Sequence, residues 1–169
     1  GMRVEDVASA IAQHPEAKAV FVNNPTYYGI CSDLRAITEL AHAHGMKVLV
    51  DEAHGTHLYF SYRLPVAAMD AGADMAAISM HKSGGSLTQS SLLLCSDSMP
   101  LGYVHQIINI TQTTSASYLL LVSLDISRRN LALRGREVID KIIDLVAYAR
   151  DEINTIGDYY AYGRDRKSV

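Results

Sequence analysis

Three short stretches of this 169-residue chain gather side chains whose types and spacing could do chemistry. The first is Asn23-Asn24-Pro25-Thr26-Tyr27-Tyr28-Gly29, the second Asp51-Glu52-Ala53-His54-Gly55-Thr56-His57, the third Ser79-Met80-His81-Lys82-Ser83-Gly84-Gly85-Ser86. Carboxylates, imidazoles and an amine in such company can ligate a metal or serve a nucleotide's magnesium. The amine can also form a covalent bond to a carbonyl compound. The metal reading draws on Asp51, His54 and His57, with His81 as a fourth ligand suited to zinc or iron. Their spacing matches no metal motif, and the reading leaves Lys82 without a role. Asp51-Glu52-Ala53-His54 also spells the signature of one helicase class, but that chemistry requires a G-x-x-x-x-G-K-[ST] phosphate loop, and the sequence has none. Taken singly, each residue has an ordinary explanation: a lysine is usually solvated, an Asp-Glu pair usually opens a turn, and Gly84-Gly85 marks a bend.

What lifts the three stretches above those explanations is where they fall. Each follows a short apolar run that reads as a buried strand: residues 19–22, 48–50 ending at Asp51, and 75–80 ending just before His81-Lys82. Helical patterns separate them. Residues 4–13 form the first, stopped before Pro15. Ser32 or Asp33 caps the second, whose face carries Leu34, Ile37, Leu40 and Ala41 and which Gly45 ends. Pro65 is expected to open a short helix to Ala71, closed by Gly72. Strands joined by helical crossovers make a parallel sheet with helices on its faces. Right-handed crossovers bring the three loops to one edge, where such sheets keep their ligands. A fourth strand, residues 91–95, follows too closely for a crossover and is expected to be antiparallel. From Pro100 the chain is expected to be helical. Leu119, Leu120, Val122 and Ile126 over residues 118–133 form one apolar stripe. Val138, Ile142, Leu145, Val146 and Ala149 over residues 137–156 form a second, and both read as core.

Composition excludes several function classes. Apolar residues are 49% and charged residues 20% of the chain, a globular balance suited to one domain. Fifteen basic and eighteen acidic residues give a formal charge of −3 with no basic stripe, so nucleic acid is not an expected partner. The longest apolar run, residues 118–124, is too short to span a bilayer, so no membrane is expected. Cys31 and Cys95 form neither a metal pattern nor a disulfide framework, which points to a reducing cytoplasm. Gly1 reads as a cleavage scar and is set aside.

Asn24-Pro25-Thr26-Tyr27-Tyr28-Gly29, Asp51-Glu52-Ala53-His54-Gly55 and Ser79-Met80-His81-Lys82-Ser83-Gly84-Gly85 together resemble the ornithine/lysine/arginine decarboxylase family, over roughly residues 19–156 in order and spacing. The resemblance implies an α/β fold, the PLP-transferase-like large domain of fold-type-I enzymes, here a partial, mostly parallel sheet flanked by helices. It implies pyridoxal 5'-phosphate (PLP) as cofactor and a basic amino acid (lysine, arginine or ornithine) as the substrate to be decarboxylated. Lys82 would hold the cofactor as an imine, and Asp51 would pair with the pyridine nitrogen. Ala53 would lie against one ring face, and His54 would stand beside the ring. Ser79 and His81 would contact the phosphate, and Thr113, in Thr113-Thr114-Ser115, would reach the phosphate of a partner subunit. A homodimer or higher homo-oligomer is therefore expected. Asn24 and Thr26 would border the ring hydroxyl.

The same resemblance implies parts that these 169 residues do not contain: an earlier phosphate loop with a ring-stacking histidine, and a small carboxyl-terminal domain. Residues 1–156 are thus expected to be a partial PLP-binding large domain, and residues 157–169 the start of the small one. A fragment of that kind is expected to be inactive alone. Two other outcomes fit the same residues: a different fold-type-I reaction, such as an aminotransferase or lyase, or an inactive remnant serving as an oligomerising partner.

Overall fold

The computed structural model describes residues 1–161 and 163. Three parallel strands and one antiparallel strand form a single sheet in the order β1 (Ala19–Asn23), β2 (Lys47–Asp51), β3 (Met75–Ile78), β4 (Leu92–Cys95). The antiparallel β4 follows from its short connection, as expected. Its link to β3 contains only α3 (Met80–Ser83) and a turn.

Two helices cover one face of the sheet. The first is α1 (Val4–Gln13), and the second is α2 (Leu34–Ala43), where Asp33 accepts a hydrogen bond from Ala36 N at 3.2 Å as N-cap. Strand residues alternate, so Val22, Val48, Val50 and Ala76 point into a core with Val7, Ile11, Leu34, Ile37 and Ala41. The opposite face is open among the described residues. Register places Phe21, Leu49, Met75 and Cys95 in one row across it, and Phe21 is 66% exposed.

Asp74 fixes the entry to β3. Buried, it accepts hydrogen bonds from Val48 N (2.8 Å), Lys47 Nζ (2.7 Å) and Ser98 Oγ (3.0 Å), with His42 Nε2 at 2.8 Å. Burial alone would raise its carboxyl, but the hydrogen bonds from Lys47, Val48, His42 and Ser98 outweigh it. They hold the group well below the usual carboxylate range. His42, on the polar side of its helix, thus has a structural partner.

Two helical expectations need correction. Residues 65–71 form irregular structure and turns rather than a helix: one helical bond, Ala71 N to Ala67 O at 2.9 Å, is made but not continued, and two donors go to side chains. Ala68 N donates to Glu52 Oε1 at 2.8 Å and Met69 N to the Tyr59 hydroxyl at 3.4 Å. Gly72 still ends the segment, at φ +89°. The two helices expected over 118–133 and 137–156 are one, α5 (Tyr118–Thr155), which follows α4 (Leu101–Thr111). Gly135 lies inside α5, where a Cβ would sit 2.5 Å from a Phe60 ring carbon. The glycine marks a close approach and not a helix end. The apolar stripes of α5 are not core here: Leu119 is 69% exposed, and Val122, Ile126, Val138, Ile142, Leu145 and Val146 are exposed as well.

Candidate active site

Strand register puts Asn23, Asp51 and Ala77 in line, so the loops after β1, β2 and β3 leave the sheet at one edge. The strand β3 ends at Ile78, two residues earlier than expected. Ser79 then caps α3, and Lys82 sits on that single turn rather than in an extended loop, its N–H donating to Ser79 O at 3.1 Å.

Three successive contacts stitch this turn to the loop after β2. Lys82 Nζ lies 3.2 Å from His54 Nε2, the Thr56 hydroxyl donates to Ser79 O at 3.2 Å, and His57 Nδ1 lies 3.4 Å from Ser83 Oγ. Burial pushes the His57 imidazole down, favouring its neutral form. The Tyr27 ring meets His54 edge to face, with centroids 5.3 Å apart at 81°. Residues of all three loops thus touch. The amine of Lys82 is exposed, open to a reactant from solution.

Asp51 closes β2, half-buried. Its Oδ1 accepts from Ala53 N at 3.1 Å, and its other oxygen has no hydrogen-bond partner among the described residues. Asn24 lies next to it through Asn24 N to Asp51 O at 3.0 Å, and its side-chain Nδ2 is buried without an acceptor. His81 is turned away from Lys82: its Nδ1 reaches Ser90 O at 2.9 Å, so that nitrogen carries the hydrogen. Ser79 and Ala53 are half-buried at the same edge. Thr113 is not brought to the cluster. It lies in the exposed link between α4 and α5, where its hydroxyl accepts from Ser115 N at 3.1 Å.

Glu52 has a structural role that its sequence neighbours scarcely signal. This side chain is fully buried, with Oε2 accepting from the Tyr59 hydroxyl at 2.6 Å and Oε1 from Ala68 N. Burial pushes its carboxyl up to about 7, against the pull of the two hydrogen bonds. Burial first, then the nearby Glu52 carboxyl, pushes the Tyr59 hydroxyl above its usual range. Gly55 belongs to the same tight turn: a Cβ there would collide with Glu52 Cγ and sit 2.9 Å from Pro25 Cδ. A glycine three residues after the glutamate was the only sequence signal of that packing.

The region matched by the family model described as "Orn/Lys/Arg decarboxylase, major domain" is residues 1–163. The chain belongs to this family. It is 50% identical over 166 residues to an arginine decarboxylase of Halalkalibacterium halodurans, covering 98% of this chain and 34% of that protein. A Bacillus subtilis arginine decarboxylase is 46% identical over the same share of each. The chain therefore spans about a third of the length of these relatives. Among solved structures it is similar to an alanine–glyoxylate aminotransferase of Nostoc (TM-score 0.73, 17% identity, 93% of this chain and 46% of that one). It is also similar to a serine palmitoyltransferase of Sphingomonas wittichii (TM-score 0.71, 20% identity, 91% and 39%). These neighbours establish the fold, that of fold-type-I PLP enzymes, as the sequence resemblance implied.

The cluster fits the cofactor of that fold class. An accessible lysine amine with no carboxylate partner suits an aldehyde. A half-buried carboxylate with one uncommitted oxygen suits a protonated ring nitrogen. Beside it stands an orphaned amide donor, Asn24 Nδ2, which suits an oxygen acceptor. No group of three or more His, Cys, Asp or Glu side chains able to hold a metal ion occurs among the described residues.

Proposed function

We propose that this chain carries the cofactor-binding centre of a PLP-dependent decarboxylase of basic amino acids, with Lys82 as the attachment residue. The observation that carries the reading is the exposed Lys82 amine, held on a one-turn helix at the sheet edge where Asp51 ends β2. In the bound state the pyridinium ring supplies an electron sink for the pair left behind when carbon dioxide departs. The residues of the chain create the conditions for this. The Asp51 carboxylate keeps a proton on the ring nitrogen through its free oxygen. Ala53 offers a small side chain beside it, where a larger one would fill the space of the ring. Ser79 and His81 frame the phosphate end, with Thr113 serving the phosphate of a second subunit in a homodimer or larger homo-oligomer. His54 and Tyr27 border the site on the side facing Lys82.

Among the three basic amino acids, arginine is favoured as substrate by the names of the relatives in Halalkalibacterium and Bacillus. Cytoplasmic location belongs to the same reading and is supported by two free cysteines. No helix among the described residues is long and apolar enough to cross a membrane. Product analysis tests the reaction. The whole protein, supplied with PLP and each of arginine, lysine and ornithine, is expected to release carbon dioxide with the matching amine, fastest from arginine. A keto acid product would instead mean an aminotransferase.

A further inference from the structure

We infer that His54 is the base that removes the proton from Lys82 and so readies its amine for attachment. The inference rests on the reading of Lys82 as the attachment residue. Lys82 Nζ and His54 Nε2 are 3.2 Å apart. An ammonium group offers only donors, and so does a doubly protonated imidazole, so a hydrogen bond here requires the pair to be at least one proton short, and one suffices. In that state the proton lies between the two nitrogens, and His54 carries its remaining hydrogen on Nδ1.

The surroundings leave His54 alone in that role. No Asp or Glu forms an ion pair with Lys82 among the described residues. A carboxylate partner would hold the lysine as an ammonium ion, whereas an imidazole nitrogen without hydrogen can accept its proton and hand it back. The other titratable groups nearby are engaged elsewhere. Asp51, from the end of β2, holds Ala53 N. His57, from the 3-10 turn after β2, faces Ser83. His81, on the same turn as Lys82, holds Ser90 O. Tyr27, from the loop after β1, presents its ring to His54 and fixes the plane of the imidazole.

The step balances with no outside oxidant or reductant. The proton leaves the Lys82 ammonium for His54 Nε2, and the freed lone pair adds to the aldehyde carbon. A second N–H proton moves to the former carbonyl oxygen. His54 then returns its proton to that hydroxyl, water departs, and a protonated carbon–nitrogen double bond remains.

The test is the rate of covalent attachment, followed by absorbance after mixing PLP with the wild-type chain, His54→Ala and His54→Gln. Each reaction ends with borohydride trapping and mapping of the labelled lysine. At pH 7 both variants are expected to attach PLP at Lys82 about a hundredfold more slowly or worse, the range typical of one positioned proton-transfer group. The deficit shrinks as rising pH lets solvent take the proton, and added imidazole speeds His54→Ala but not wild type. A glutamine can hold the hydrogen bond without moving a proton, so wild-type speed in His54→Gln would overturn the inference. So would equal rates in all three, or no response to imidazole. If wild type itself carried no label at Lys82, the reading of Lys82 would fail, and this inference with it.

Discussion

Asp51 and Glu52 are adjacent in sequence and opposite in circumstance. Asp51 keeps one oxygen uncommitted at the sheet edge, whereas Glu52 is buried under Tyr59 and Ala68 N. Replacing Asp51 with alanine is expected to weaken cofactor binding and abolish turnover in the whole protein, with little change in stability. Equilibrium PLP titration beside urea unfolding checks this. Glu52→Gln is expected to leave labelling at Lys82 intact and to change the pH dependence of folding. The Glu52 carboxyl, about 7 when folded against an ordinary 4.5, keeps its proton in the native state where the unfolded chain has released it. Its contribution is therefore full below about pH 4.5 and is lost as pH rises through about 7, a swing of about 3 kcal/mol. Unfolding free energies from urea titrations at pH 5 and pH 8 should differ by most of that amount more in wild type than in Glu52→Gln. From the sequence, the three loops and their polar residues were legible because they follow recognisable strands. The burial of Glu52 was not, since nothing local distinguishes the two acids; it depends on Tyr59 and on backbone sixteen residues away.

At the scale of elements, strands were easier to read than helix continuity. The runs at 19–22 and 48–50 needed only a residue or two at their ends, because buried strands write continuous apolar stretches. The segment 65–71 misled because Pro65 and Gly72 punctuate it like a helix while side chains of Glu52 and Tyr59 take its donors. Gly135 is the opposite case: α5 runs through a glycine where Phe60 approaches closely. Gly135→Ala is expected to destabilise the chain by about 1–3 kcal/mol through overpacking, although alanine favours helix. Denaturant unfolding of that variant is the check. Phe60→Leu combined with Gly135→Ala should recover part of the loss, which a purely local helix effect would not allow.

At the scale of the molecule, α5 is about 57 Å long at the usual helical rise, far longer than the four-stranded sheet is wide. Among the described residues it is tied to the domain at points such as Phe60 on Gly135, Ser61 to Asp140, Arg63 to Asp144 at 2.6 Å, Arg136 over the Tyr62 ring, and Leu87 N to Ser123 Oγ at 2.7 Å. The apolar stripes between those points stay exposed, as does Ile110 on α4 at 80%. Periodicity correctly showed which face of the helix is apolar. It could not show that nothing in these residues covers it. Surfaces of that kind associate. The 169-residue chain is expected to sediment as a dimer or larger species, and substituting Leu119, Ile126 and Leu145 by glutamate should shift it toward monomer. Decarboxylation by this chain alone is expected to be negligible beside the whole protein, because a misplacement of about 1 Å in the reacting groups costs roughly a hundredfold. A side-by-side assay of carbon dioxide release measures the difference.

Attachment of the cofactor at Lys82 can be measured directly. The chain is incubated with PLP, reduced with borohydride, digested, and the pyridoxyl group located by mass spectrometry, with Lys82→Ala in parallel. Label is expected to concentrate on Lys82 and to be lost in the variant. Label spread over Lys18, Lys47 and Lys141 with none on Lys82 would contradict that attachment.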